Sequence, residues 1–168
     1  FGKCSLTVAL PIISAAGIEC AGIPTAVLST HTGGFSGYTF RDLTEDILPV
    51  AKHWKNEGIT SSAIYTGYLG SKEQVNIVID AIGLIKDDNS LIIVDPAMAD
   101  NGKLYVGFDN AFVQEMKALC AQADILVPNI TEACFLTGEE YREKYDEAYV
   151  EGLCKQLTAL GAKAVVLT

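Results

Sequence analysis

Apolar residues along the chain follow two alternating periods. Short, continuous β-rich runs occur at residues 23–29 (IPTAVLS), 62–66 (SAIYT), 91–94 (LIIV), 125–127 (ILV) and 164–167 (AVVL), each too short and too unbroken for a helix. Between them helical stripes recur: Val75, Val78, Ile79, Ile82 and Ile85, then Phe112, Met116, Leu119 and Cys120, then Val150, Leu153, Leu157 and Leu160. Spacings of three and four put each set on one helix face, which must be buried. Ile47, Ala51 and Trp54 make a weaker stripe with Pro49 in its first turn, and residues 5–16 predict an opening helix that Pro11 is placed to kink.

Local signals agree with this reading. Ser71-Lys72-Glu73-Gln74 reads as a capping box, and Gly161 stands where a helix should end on a left-handed residue. Strands alternating with helices imply crossover connections, hence an α/β fold with a mainly parallel sheet flanked by helices on both faces. No repeat or linker divides residues 1–168, so one domain is expected. Residues 100–107 (DNGKLYVG), between a strand and a helix, read as a small hairpin or lid.

Composition narrows the function classes. A chain of 168 residues can bury close to 70% of its surface, exposing roughly 8,000 Å² of about 26,000 Å². Twelve Lys and Arg against 21 Asp and Glu give a formal charge of −9, a poor field for nucleic acid or an anionic membrane. The five cysteines, Cys4, Cys20, Cys120, Cys134 and Cys154, are odd in number and form no C-x-x-C pair, which predicts reduced thiols and a cytoplasmic setting. No apolar run reaches the ~18 residues of a membrane span. The chain opens on Phe1 rather than Met and stops within a β-like run, so it is expected to be an internal piece of a longer protein.

In open parallel sheets, ligands bind beyond the carboxyl ends of the strands. The residues found there are Thr30-His31-Thr32-Gly33-Gly34, Gly67-Tyr68-Leu69-Gly70-Ser71, Asp95-Pro96-Ala97-Met98, Pro128-Asn129-Ile130-Thr131-Glu132 and Thr168. All five runs are expected to present them on one edge. The same residues also read as ordinary structure. Asn129 with Glu132 is a helix N-cap with its partner, Asp95 a turn cap, His31 a structural histidine, Tyr68 a loop aromatic and Gly33-Gly34 a flexible turn. Phosphate-loop and dinucleotide glycine fingerprints are absent from the sequence.

The joint pattern is more specific. Phe1-Gly-Lys-Cys-Ser-Leu-Thr-Val-Ala-Leu-Pro11, Pro24-Thr-Ala-Val-Leu-Ser-Thr-His-Thr32, Thr66-Gly-Tyr-Leu-Gly-Ser71 with Glu73-Gln74, Val94-Asp-Pro-Ala-Met98 and Val127-Pro-Asn-Ile-Thr-Glu132 follow in order. Together they resemble the pyridoxal/pyridoxamine kinases of the ribokinase-like superfamily, over the whole chain. The Asp-Pro-x-Met and Pro-Asn-x-x-Glu motifs are shared with hydroxymethylpyrimidine kinases, whereas Thr-Gly-Tyr-Leu-Gly-Ser and Ser-Thr-His-Thr favour the vitamin B6 branch.

The resemblance implies that His31 and Thr32 border the pyridoxal site and Tyr68 packs on the pyridine ring. It implies that Asp95 and Glu132 hold Mg²⁺ with its waters, and that Asn129 and Thr168 face the phosphates of ATP. Tyr105 matches a lid tyrosine, while Asp100 follows Ala99 where the family often has glycine. Expected activity is phosphorylation of the 5′-hydroxymethyl group of a B6 vitamer, in a homodimer. Such chemistry asks for a neutralised triphosphate and an aligned alcohol more than for covalent help. Two family features have no match here: a first strand ending in serine, expected before Phe1, and a Gly-x-Gly-Asp turn carrying the general base, expected beyond Thr168. The chain alone is therefore expected to be inactive. A hydroxymethylpyrimidine kinase and a non-catalytic vitamer binder are the alternatives.

Overall fold

The computed structural model describes residues 4–32 and 35–168, so Phe1, Gly2, Lys3 and the Gly33-Gly34 pair of the motif reading lie outside the described residues. Elements run in the order α1 (Leu6–Ala15), β1 (Ala26–Leu28), β2 (Phe40–Asp42), α2 (Thr44–Asn56), β3 (Ser61–Thr66), α3 (Lys72–Ile85), β4 (Lys86–Val94), β5 (Ala99–Asp100), β6 (Lys103–Leu104), α4 (Asn110–Cys120), β7 (Ile125–Leu126), α5 (Ile130–Thr137), α6 (Glu147–Ala159) and β8 (Ala164–Val165). Strands β3, β4, β7 and β8 form one sheet in that order, and every neighbouring pair is parallel. This is the α/β architecture that the alternating periods predict.

Right-handed crossovers that always step the same way place α3, α4 and α6 on one face. The helical stripes meet the sheet there. Val75 and Ile82 of α3, Phe112, Met116 and Leu119 of α4, and Leu153 and Leu157 of α6 are buried with Ile92, Val94 and Leu126 of the strands. A smaller cluster joins α2 to α3 through Ile47, Ala51, Ala81 and Ile85.

The opposite face of the sheet is less covered among the described residues. Strand neighbours of the buried positions point the other way, and Tyr65, Leu91 and Val166 remain 48%, 38% and 53% exposed. Helix α1 buries none of its residues. The accessible surface is accordingly 9932 Å² rather than the roughly 8,000 Å² expected of a closed domain of this size. The physical reason is topological, since strands that advance in one direction send all their crossovers to one side.

The first β-rich run also departs from expectation. Only Ala26–Leu28 is extended, and it pairs antiparallel with Phe40–Asp42, Ala26 opposite Asp42 and Leu28 opposite Phe40. The parallel sheet therefore has four strands, not five, and the first run belongs to a separate hairpin. Its partner has three exposed residues and no apolar alternation to announce it. At the other lid-like segment the small hairpin is present: Ala99 pairs with Leu104 across Asn101-Gly102, both at positive φ, as a tight two-residue turn requires.

All five cysteines are free thiols; Cys120 and Cys134 are buried, the others partly exposed. Among the described residues no helix is long and apolar enough to cross a membrane.

Helix α6 ends as expected, with Gly161 at φ 128°, where a Cβ would stand 2.7 Å from the Ala121 carbonyl oxygen. Gly161→Ala should therefore cost about 1–3 kcal/mol in urea unfolding. Gly83, exposed within α3 with open space around it, is the control. Gly83→Ala should stabilise by up to about 1 kcal/mol.

Candidate active site

Parallel polarity brings four of the motif positions to one edge. Tyr68 lies two residues past β3, Asp95 directly past β4, Asn129 past β7 and Thr168 past β8. The last two loops touch: the Thr168 amide donates to the Pro128 carbonyl at 3.0 Å, and its hydroxyl to the same oxygen at 3.4 Å. His31 and Thr32 are not on that edge through a parallel strand. They sit exposed in the loop between β1 and β2, because the run that carries them is half of an antiparallel hairpin.

An acid pair occupies the middle of the edge. Asn129 caps α5 with its side-chain oxygen on the Glu132 amide at 2.9 Å, and Glu132 Oε2 accepts from the Asn129 amide at 2.9 Å, a complete capping box. The structural reading of this pair is thus realised. Glu132 does more, however, because its Oε1 accepts from the Met98 amide at 3.1 Å while Asn129 Nδ2 donates to the Ala99 carbonyl at 2.8 Å. These contacts stitch the loop after β4 to the loop after β7.

Asp95 does not cap a turn; its Oδ2 accepts from the Tyr65 hydroxyl at 2.7 Å. Strand register sets this contact, since Tyr65 lies opposite Ile93 and Asp95 follows two residues later on the same face. Burial raises the pKa of Asp95. Burial also pushes Glu132 up to about 7, opposed by its backbone donors and reinforced by the negative charge of Asp95. Tyr105 lies near the pair. Its amide donates to the Met98 carbonyl at 2.9 Å, and burial, with Glu132, Asp100 and Asp95 nearby, raises its hydroxyl. Asp100 is exposed and accepts from the Asn101 amide in the hairpin turn.

Two carboxyls held against ionisation in one place form a set that a divalent cation would relieve. Both Glu132 oxygens already accept backbone amides. Among the described residues no group of three or more His, Cys, Asp or Glu could hold a metal. The pair therefore suits a hydrated hard ion held through its waters, not a stripped one. The Thr66 hydroxyl, at the end of β3, is buried without a hydrogen-bond partner, a polar atom that a bound water or ligand group would satisfy.

Tyr68 forms the other half of the site. It is half-buried, with its ring 5.8 Å from that of Phe108, which stacks on Phe112 at 3.9 Å and 7°. The capping box expected at Ser71 is half made: Ser71 Oγ accepts from the Gln74 amide at 3.1 Å, but the Gln74 side chain turns away to Gly70 and the hairpin base. Sequence reasoning missed Tyr65, Phe108 and the wider reach of Gln74. Their signal is strand register and tertiary packing rather than local spacing.

Comparison with known proteins decides the family. A family model described as phosphomethylpyrimidine kinase matches residues 10–168. The chain belongs to this family. Among its relatives, a pyridoxal kinase of Histophilus somni is 31% identical over 157 residues, covering 90% of this chain and 53% of that protein. A pyridoxal kinase of Dictyostelium discoideum is 32% identical, over 90% of this chain and 50% of its own length. The chain spans about half the length of the curated relatives it matches. Among solved structures, a phosphomethylpyrimidine kinase homologue of Bacteroides thetaiotaomicron, crystallised with pyridoxal, superposes with a TM-score of 0.94 at 40% identity, covering 99% of this chain and 58% of that one. Pyridoxal kinase of Lactobacillus plantarum gives 0.87 at 34% identity, over 98% and 58%. Family members of both names thus share this fold.

The acid pair makes stability depend on pH. In the folded protein Glu132 takes up a proton near pH 7, against 4.5 for an ordinary glutamate. Its contribution is fully present below the unfolded value and is lost as pH rises through the folded one. Urea unfolding should therefore show the wild type losing stability between pH 5 and pH 8, while Glu132→Gln shows a flatter profile. Parallel profiles would mean that Glu132 is ionised throughout.

Proposed function

We propose that the protein is an ATP-dependent kinase that phosphorylates the 5′-hydroxymethyl group of pyridoxal, pyridoxamine or pyridoxine. The observation that carries this reading is the pairing, on one sheet edge, of an aromatic platform at Tyr68 with the Asp95–Glu132 acid pair. A flat heteroaromatic ring wants a π-face and a few polar partners. A transferring phosphoryl group wants a hydrated Mg²⁺ and oriented donors instead. The pyridoxal kinases among the relatives, and the homologue crystallised with pyridoxal, point the same way.

In this reading Tyr68 packs on the ring, and His31 and Thr32 border it from the hairpin. Asp95 and Glu132 hold Mg²⁺ through water; the ion would neutralise charge on the phosphates. Tyr65 keeps Asp95 oriented, and Tyr105 partly covers the acid pair. Asn129 and Thr168 face the nucleotide phosphates. In this reading the protein acts as a cytoplasmic homodimer. The family model's own description favours one second reading, a hydroxymethylpyrimidine kinase.

Three measurements on the full-length protein test these roles. Asp95→Ala or Glu132→Ala should lower turnover at least about tenfold, or ~1.4 kcal/mol, with vitamer binding nearly intact. Tyr68→Ala should weaken vitamer binding by roughly 0.5–1.5 kcal/mol plus the lost buried area, and Tyr68→Phe should keep most of it. Calorimetric titration with pyridoxal, pyridoxamine and hydroxymethylpyrimidine separates the readings: tight binding of the pyrimidine alone transfers the assignment, and no binding of any ring removes it.

A further inference from the structure

One buried amide joins the two walls of the ring site. Gln74 is 0% exposed at the start of α3. Its Oε1 accepts from the Gly70 amide at 2.7 Å. Its Nε2 donates to the Thr25 carbonyl at 2.9 Å and to Thr44 Oγ1 at 2.9 Å, with Asp42 Oδ1 at 3.5 Å. Thr25 precedes β1, Asp42 ends β2 and Thr44 opens α2, so all three belong to the base of the hairpin whose loop holds His31 and Thr32. Gly70 closes the turn that holds Tyr68. A side-chain amide has one acceptor oxygen and two N–H bonds, and here both ends are engaged.

Packing converges on the same point. A Cβ placed at Gly70 would lie 3.5 Å from Gln74 Oε1, 3.8 Å from Phe40 Cζ and 3.8 Å from Tyr68 Cε1, so hairpin and turn meet there in van der Waals contact. The Thr25 hydroxyl adds a long hydrogen bond to the Tyr68 carbonyl at 3.4 Å. An isolated two-stranded hairpin is marginally stable, and this one has strands of three residues. Its orientation therefore depends on what holds its base.

We propose that Gln74 is a positioning residue for ring recognition, locking the His31–Thr32 hairpin to the Tyr68 turn so that both walls of the site keep one relative geometry. This rests on the reading of the edge as a B6 vitamer site. Only an amide serves, because its position needs an acceptor toward Gly70 and donors toward Thr25 and Thr44. Gln74→Glu would set a carboxylate against the Thr25 carbonyl and Asp42. The lock touches neither the acid pair nor Thr168, so its loss separates ring binding from nucleotide binding.

The test uses the full-length protein, titrated calorimetrically with pyridoxal and separately with ADP, and amide hydrogen exchange. Gln74→Met, which keeps length and bulk, should weaken pyridoxal binding at least about tenfold while ADP affinity stays within about twofold. Exchange at the Gly70 and Leu43 amides should accelerate, because Gly70 loses its acceptor and Leu43 donates to the Thr25 carbonyl that Gln74 also holds. Thr44→Val should weaken pyridoxal less but in the same direction, and Thr44→Ser should restore it. A folded Gln74→Met protein that binds pyridoxal as the wild type does, or that loses pyridoxal and ADP equally, overturns the proposal. If that variant does not fold, equal pyridoxal affinity of Thr44→Val and Thr44→Ser overturns it. A wild type that binds no vitamer overturns the vitamer reading instead, and the exchange data then report on the lock by themselves.

Discussion

A carboxylate with 3% of its surface exposed holds the acid edge of the site together. Glu132 gains two backbone N–H donors, one from its own helix cap and one from Met98 in another loop. Hydrogen bonds to a charged group are worth about 1.5–3 kcal/mol each, and removal of the charge from water costs several. Burial outweighs the donors, which is why the group titrates near 7 rather than at the 4.5 of an ordinary glutamate. Asp95, the hairpin β5–β6 and Tyr105 all follow from this junction, because each is attached to the loop that Met98 anchors. A nearby cation would tip the balance toward the ionised form.

The capping and chemical readings of Asn129 and Glu132 are compatible. A capping box puts a carboxylate at a helix N-terminus, where the macrodipole favours negative charge, and at the carboxyl end of a parallel sheet that is also where ligands gather. Helix α5 is only eight residues long and ends on Gly138 at φ 85°. The contacts of Glu132 with Met98 and of Asn129 with Ala99 keep the box close to the loop after β4. The structural role fixes the side chain to within hydrogen-bond geometry, and such fixing is what a site that positions phosphate and metal requires.

Legibility in the sequence followed the range of the forces. Strands β3, β4, β7 and β8 and helices α3, α4 and α6 were readable because buried faces impose local periods, and the loop positions of Tyr68, Asp95, Asn129 and Thr168 followed from strand polarity. Strand β2 was not, since Phe40–Asp42 is exposed and is paired through contacts that no period encodes. Without it the run before His31 looked like one more parallel strand. Gln74 was visible as a helix cap, yet its donors reach partners 30 and 49 residues away. Tyr65 was visible only as a strand residue, and its contact with Asp95 depends on inter-strand register. The lighter covering of the face that carries Tyr65, Leu91 and Val166 was hidden for a similar reason, because strand order rather than composition decides it.

The strand order β3-β4-β7-β8 has a consequence for biosynthesis. Every strand of this sheet pairs with the sheet strand made just before it, so none of the four has to be threaded between two that are already joined. A polypeptide leaving the ribosome N-terminus first can complete β3 and β4 with α3, then add α4 and β7, then α6 and β8, each step closing one helical crossover onto the strand before it. Each new strand docks on the edge left by the sheet strand made just before it. Synthesis and sheet assembly can therefore advance in the same direction and in the same order.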